Sequence, residues 1–312
     1  MYFMQALNDN IFGKLKLWFI LSRPAFHSVG VFPFLLGSIL AYKLNSNFRW
    51  DVFTLGVIAV ILIMLSTYHM GEYFDFEGDI ISNKTHKNRF AGGSRVLVTK
   101  NISKSIPLLT GIISIIIAFI IGIFLQFKFK TGPYTLIFGI IGGFFGFFYS
   151  TKPLRFVEKG IGEILIGFCY GWLPVASAYY IQTGELSKEV HITSIPIALT
   201  IFNVILLNEF PDYEADKQIL KRNLLQRIGK INAKWLYIFI SIISSIFVFI
   251  SPYFGIPVKV IYFYIPIFLI STFINIMMFK KKYEDPILLE KLCGLNIFLN
   301  LGTTAAYILS YL

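Results

Sequence analysis

The chain has 312 residues, 56% of them hydrophobic, with a mean hydropathy of +0.69 and a formal net charge of +11. Charged residues make up 14%, against roughly 25% in soluble domains, which excludes a water-soluble globular protein. The positive charge raises nucleic acid as a partner, but its distribution along the chain follows membrane topology instead and argues against that role.

In chain order, residues 10–22, with Lys14 and Lys16 ahead of Trp18, predict a short amphipathic helix on the cytoplasmic membrane surface. No small-residue cleavage site accompanies them, so they do not resemble a signal peptide. Nine apolar runs follow, at about 25–43, 52–72, 104–126, 133–149, 160–181, 190–210, 234–253, 257–279 and 288–311. A hydrocarbon core of ~30 Å needs about 20 helical residues, so each run predicts a spanning helix. Membrane strands would be half as long and would alternate in polarity, which these runs do not. The expected fold is an all-α integral membrane protein with nine transmembrane helices.

With nine spans, 22 of the 28 Lys and Arg fall on the side that includes the N-terminus. The positive-inside rule places that side in the cytoplasm and the C-terminus outside. Only Asp51, Glu185 and Glu189 of the acidic residues fall on the outer side, so chemistry is expected at the cytoplasmic face. Cys169 and Cys293 each lie inside a span and have no metal-ligand spacing.

Two loops are longer than the usual connections of a bundle, at about 72–103 and 208–233. They follow the second and the sixth spans. That interval predicts a duplicated four-helix unit plus a ninth helix. No low-complexity linker divides the chain, and a single domain over 1–312 is expected.

Each long loop begins with the same pattern, Asp75-Phe-Glu-Gly-Asp79 in the first and Asp212-Tyr-Glu-Ala-Asp216 in the second. Residues four apart share one helix face, so each pair can present two carboxylates to one cation. In the second motif Asn208 adds an amide oxygen one turn earlier; in the first that place is Gly71. Hard oxygen ligands suit Mg²⁺, which shares its shell with water and substrate phosphates. His27, His69, His86 and His191 are scattered and form no cluster for a softer metal. Ionisable groups at membrane depth cost about 2.5–3.5 kcal/mol each on insertion scales and mark function. Lys84, Arg89 and Arg95 follow the first motif, around Gly92-Gly93, and Lys217, Lys221, Arg222 and Arg227 follow the second. Carboxylates holding Mg²⁺ beside such cations predict a diphosphate clamp, with Arg89 and Arg95 flanking a glycine pair whose backbone N–H groups can approach phosphate.

These segments together resemble the UbiA family of membrane prenyltransferases. The resemblance rests on Ser22-Arg23-Pro24 before the first span, GEYFDFEGD (71–79) leading into RFAGGSRVL (89–97), YSTKPLRF (149–156), GIGEILIGF (160–168), and NEFPDYEADKQILKRNLLQRIG (208–229). It implies nine helices around a central cavity capped by the two Asp-rich loops. It further implies Mg²⁺-dependent transfer of a prenyl chain from a polyprenyl diphosphate to an aromatic acceptor. By that resemblance Asp75, Asp79, Asn208, Asp212 and Asp216 hold Mg²⁺ and diphosphate, Arg23, Lys84, Arg89 and Arg95 contact phosphate, and Tyr149 faces the allylic cation. The wording of the two Asp-rich segments is similar to members that prenylate dihydroxynaphthoate for menaquinone. No obligate protein partner is implied.

Two positions depart from the family pattern. Gly71 replaces an Asn, and Pro153 stands four residues after Tyr149, where some members have Lys. Other acceptors fit the same resemblance: hydroxybenzoate, a lipid glycerol phosphate or a chlorin. A transporter with paired acidic sites is the alternative from another class, although transporter acids sit near the midplane and these sit at helix ends. A phospholipid-type alcohol phosphotransferase needs a DGxxAR segment, which is absent.

Overall fold

The computed structural model describes residues 11–46, 48–82, 88–90, 92–99 and 102–312. Its elements in chain order are α1 (Ile11–Leu21), α2 (Pro24–Asn45), α3 (Trp50–Phe74), α4 (Phe76–Ser82), α5 (Val96–Thr99), α6 (Ser105–Lys128), α7 (Thr135–Phe148), α8 (Gly162–Thr183), α9 (Lys188–Asn208), α10 (Tyr213–Gln218), α11 (Leu224–Phe254), α12 (Lys259–Phe279) and α13 (Pro286–Tyr311). No strand occurs among the described residues. In hydrocarbon every backbone polar group must be paired within the segment, and a helix does this with no help from its neighbours.

Eight of these helices, α2, α3, α6, α8, α9, α11, α12 and α13, are long and apolar enough to cross a membrane. The fourth predicted span is shorter than expected. α7 has 14 residues, about 21 Å at 1.5 Å per residue, because Gly132-Pro133 delays its start and the chain turns away after Phe148. The multi-pass membrane character therefore rests on eight full spans and one short apolar helix.

α1 forms where the sequence predicts it. Its Leu17 and Leu21 pack on Val96 and Leu97 of α5, while Phe12, Leu15 and Phe19 are exposed beside Lys14 and Lys16. Its apolar residues thus run round the helix and do not form a single stripe.

Small residues set the closest approaches between spans. A Cβ on Gly37 of α2 would stand 2.2 Å from the Val175 carbonyl of α8, and one on Gly171 of α8 would meet Ala198 of α9 at 2.4 Å. Side-chain amides tie the second half together. Tyr237 Oη of α11 donates to Asn296 Oδ1 of α13 at 2.8 Å, Asn296 Nδ2 donates to the Asn203 carbonyl of α9 at 2.9 Å, and Asn203 Nδ2 donates to the Tyr237 carbonyl at 3.0 Å. Such bonds between membrane helices contribute about 0.6 kcal/mol each on average. In the first half α3 packs on α6 and α7, and α2 packs on α8, leaving room among α3, α6, α7 and α8. α8 contains one widened turn, Phe168–Trp172, in which the Leu173 N–H bonds the Phe168 carbonyl. Turns of this kind recur at functional sites.

Candidate active site

Both acidic motifs lie where a spanning helix gives way to a short helix. α3 ends at Phe74, Asp75 breaks it, and α4 begins; α9 ends at Asn208, and Asp212 precedes α10. The Asp79 N–H bonds the Asp75 carbonyl at 3.0 Å, and the Asp216 N–H bonds the Asp212 carbonyl at 2.8 Å. Each pair is therefore one helical turn apart on one face. α4 and α10 touch, so the two motifs meet.

Asp75, Asp79, Asn208, Asp212 and Asp216 all line one cavity of about 230 Å³, together with Arg23 and Tyr149. Gly92 and Gly93 are wedged between the motifs. A Cβ on Gly93 would stand 2.2 Å from Asp79 Oδ2, and one on Gly92 3.1 Å from Asp212 Oδ2. The glycine pair is held there by its neighbour: Ser94 donates its N–H to Glu72 Oε1 at 2.5 Å and its hydroxyl to Glu72 Oε2 at 2.8 Å. Glu72 is buried on α3, one turn before the first motif.

The other predicted cations are placed differently. Arg23 lines the cavity at a left-handed φ of 50° and lies over the Phe26 ring. Arg89 is exposed and pairs with Glu290 of α13 at 2.6 Å, and it does not line the cavity. Arg95 is buried at a left-handed φ of 58°, directly after the Ser94–Glu72 latch, and also does not line the cavity. Lys84 lies outside the described residues.

Arg155, which sequence reasoning left unassigned, and Lys221, one of the cations that follow the second motif, sit on the motifs instead. Arg155 Nη2 contacts Asp75 Oδ1 at 3.0 Å and Glu158 Oε1 at 2.6 Å, and its Nη1 donates to the Phe74 carbonyl at 3.1 Å. Lys221 Nζ lies 3.8 Å from Asp216 Oδ1, and Asn223 Nδ2 donates to Asp216 Oδ2 at 2.9 Å. Ser150 Oγ donates to Asp75 Oδ2 at 3.2 Å. Arg155 stands two residues beyond the Pro153 that departs from the family pattern, which was the signal available for it.

The crowding of carboxylates shows in their acidity. Burial first, then the charges of Glu72, Asp75 and Asp212, push Asp79 up to about 8. Burial also raises Asp216, to about 6, although Lys221 pulls the other way. For Lys221, burial disfavours the ammonium, but Asp75, Asp216 and Asp212 outweigh it and raise its pKa. Glu209, beside Asn208, is raised by burial and then by the neighbouring Glu163.

These donors fit a divalent cation. Asn208 Oδ1 is buried with no hydrogen-bond partner, and the carboxylates around it repel one another unless a cation intervenes. Among the described residues no three acidic, His or Cys side chains converge on one point. Such an ion would take few protein oxygens and complete its shell with water and phosphate, as Mg²⁺ does.

A second, apolar cavity of about 490 Å³ lies among α3, α6, α7 and α8. Thr67 and Tyr170 line both cavities, so the two adjoin there. Tyr170 belongs to the widened turn of α8.

Comparison with known proteins gives the chain its family. It is 26% identical over 216 residues to the 2-carboxy-1,4-naphthoquinone phytyltransferase of Synechocystis sp., a match covering 69% of this chain and 66% of that protein. It is 25% identical over 209 residues to the 1,4-dihydroxy-2-naphthoate octaprenyltransferase of Bacillus subtilis, covering 67% of this chain and 65% of that protein. The matched region thus spans just under two thirds of these relatives' own length. A UbiA homologue from Archaeoglobus fulgidus, solved with GPP and Mg²⁺, shares the fold with a TM-score of 0.57 at 17% identity, over 94% of this chain and 99% of that one. The profile of the UbiA prenyltransferase family matches residues 30–301, most of the chain, and the protein belongs to that family.

Proposed function

We propose that the protein transfers a prenyl chain from a polyprenyl diphosphate to an aromatic acceptor of the dihydroxynaphthoate class, in quinone biosynthesis of the menaquinone type, with Mg²⁺ as cofactor. The observation that carries this reading is the adjoining pair of cavities: one polar and lined by both DxxxD motifs, the other apolar and the right kind of space for an isoprenoid tail. The naphthoate-prenylating relatives support the acceptor, and the homologue solved with GPP and Mg²⁺ supports the donor and the metal.

Asp75 with Asp79, and Asn208 with Asp212 and Asp216, would hold the metal. When bound, Mg²⁺ supplies neutralisation of the charge that builds on the leaving diphosphate. Arg23 and Lys221 line the same cavity and are placed to take phosphate oxygens not shared with the metal. Arg155 anchors Asp75 from behind, through a bond to its carboxylate and one to the end of α3. The allylic C–O bond breaks with its electron pair going to the diphosphate. A ring carbon of the acceptor then bonds the allylic carbon and loses its proton. Tyr149, with Tyr68 and Tyr170, presents aromatic surface that stabilises cationic carbon. The charge asymmetry of the loops supports a site at the cytoplasmic face, with the N-terminus inside and the C-terminus outside.

The test is direct. The purified protein is incubated with labelled polyprenyl diphosphate, 1,4-dihydroxy-2-naphthoate and Mg²⁺, and the product is identified by mass spectrometry. Prenylated naphthoate and stoichiometric diphosphate are expected. Transfer only to hydroxybenzoate or glycerol phosphate would overturn the acceptor, and no Mg²⁺-dependent release with any acceptor would overturn the activity.

A further inference from the structure

Lys234 is a buried cation with no carboxylate to meet it. It lies on α11 and is 6% exposed. Among the described residues no acid comes within ion-pair distance of its Nζ, which lies over the Trp235 ring at 4.6 Å and the Phe279 ring at 5.7 Å. The ring faces attract the ammonium but leave its charge uncancelled. A lysine that served only the positive-inside rule would extend its head into water. The neighbouring Lys230 is half-buried and finds Glu214 at 3.5 Å; Lys234 has neither water nor an acid around it to the same degree.

Trp235 and Phe279 stand at one end of a groove of about 560 Å³ between α11 and α12, which shares no residue with the two cavities of the candidate active site. Ile238, Ile242, Ile246 and Phe249 line it on α11, and Phe268 and Ile276 on α12. Trp235 to Phe249 is about 21 Å along the helix, more than the ~15 Å of hydrocarbon in one leaflet. Trp235, Ile242, Ile246, Phe268, Ile276 and Phe279 are exposed and in a spanning protein face lipid. Behind them Ser241 bonds Ser271 at 2.8 Å and Ser245 bonds Tyr264 at 3.1 Å. No glycine lines the groove, so the backbone of another helix has no place for close approach, whereas a flexible acyl chain can follow it. Beyond Phe279, at the end of the bundle that holds the acidic motifs, the exposed Lys280, Lys281 and Lys282 continue the basic surface. The acids that come next are Glu284, which is exposed, and Asp285, which caps α13 by accepting the Ile287 and Leu288 N–H groups.

A long apolar groove that ends at an unpaired cation and a run of exposed lysines is complementary to a bilayer lipid with an anionic head. Basic pockets between spanning helices take such head groups. We propose that the α11–α12 groove binds an anionic glycerophospholipid, its phosphate held by Lys234 with Lys280 at the rim, and an acyl chain laid between the helices from Trp235 toward Phe249. The site lies apart from the prenyl-transfer machinery and does not depend on it.

The experiment follows the melting temperature of the full chain in neutral detergent on adding dioleoyl phosphatidylglycerol or dioleoyl phosphatidylcholine. A ligand that binds only the folded state raises the melting temperature. Phosphatidylglycerol is expected to raise it by several degrees, and phosphatidylcholine to leave it nearly unchanged. Lys234→Met keeps the length of the side chain without its charge and should lose most of that shift, while Lys234→Arg should keep it. Lys291→Met, which removes an exposed lysine at the same end of the bundle, should also keep it. Should Lys234→Met not fold, wild type decides alone. Phosphatidylglycerol with a diazirine in its acyl chain is expected to label α11 and α12, and unlabelled phosphatidylglycerol, not phosphatidylcholine, to displace it. Equal stabilisation by the two lipids, an undiminished shift in Lys234→Met, the same loss in Lys291→Met, or labelling spread evenly over the lipid-facing helices would overturn the site.

Discussion

Asp75 and Asp212 have the same backbone conformation, with φ −93° and ψ 5° at the first and φ −93° and ψ 3° at the second. Both sit in the sparsely populated bridge region, where many active-site residues lie. In each half the chain leaves a spanning helix, turns at the first aspartate and starts a short helix that carries the second aspartate. The halves differ just upstream. α3 continues through Gly71 to Phe74, whereas α9 stops at Asn208 and reaches Asp212 through a run of turns. The two motifs are therefore matched at the carboxylates and mismatched at the residue before them.

If the two motifs act together on one diphosphate, each is indispensable. Asp75→Ala and Asp212→Ala should each lower prenyl transfer by about 10²–10³ or more, the scale seen when one electrostatic stabiliser is lost. Thermal melts in detergent should change little. Diphosphate release assays on both variants check this, and near wild-type release by either would remove that motif from the site.

Gly71 is open to repair. A Cβ there would meet only Ser150 Oγ at 3.6 Å and Asp75 Oδ2 at 4.0 Å, both ordinary contacts. Gly71→Asn should therefore fold, gain a few tenths of a kcal/mol from replacing a helical glycine, and point an amide at the first motif. The Mg²⁺ concentration for half-maximal activity is expected to fall severalfold. A titration showing no change, or a rise, would mean that Ser150 already serves Asp75 in that place.

The spans and both acidic motifs were legible because they are local. Twenty apolar residues declare a helix in lipid, and carboxylates at i and i+4 declare a face. Apart from Arg23 and Lys221, the cations at the motifs were not legible, because positive-inside charge supplies many Lys and Arg with no mark to tell them apart. Arg89 flanks the glycine pair in sequence yet pairs with Glu290, 201 residues away. Arg155 was passed over because its partner, Asp75, is 80 residues earlier. Glu72 likewise gave no sign of its role, since the Ser94 it holds is fixed only by the fold of the loop.

That latch predicts a graded series. Glu72→Gln keeps the shape but gives up a charge-assisted pair of bonds, and Glu72→Ala leaves Ser94 and the glycine pair unanchored. Activity should fall about tenfold for Gln and further for Ala, chiefly through a higher KM for the prenyl diphosphate. Gly93→Ala should be as damaging as Glu72→Ala, because its Cβ would collide with Asp79 at 2.2 Å. Steady-state kinetics on the three variants test this; a pure kcat effect would place the latch elsewhere in the cycle.

Metal and protons should compete at the site. Folding raises Asp79 to about 8 and Asp216 to about 6, from an ordinary 3.8. A carboxyl raised by folding binds its proton more tightly in the folded state than in the unfolded one. The folded, metal-free protein therefore holds extra protons between about pH 4 and 8, and its stability falls as pH rises through that window. Mg²⁺ requires the ionised carboxylates and displaces those protons. Without Mg²⁺ the melting temperature should be lower at pH 8 than at pH 6. Added Mg²⁺ should raise it more at pH 8 than at pH 6, and binding at pH 7 should release protons in calorimetry run in two buffers of different ionisation enthalpy. A metal-induced shift that is larger at pH 6, or binding with no proton release, would show that the ion is held by groups other than Asp79 and Asp216.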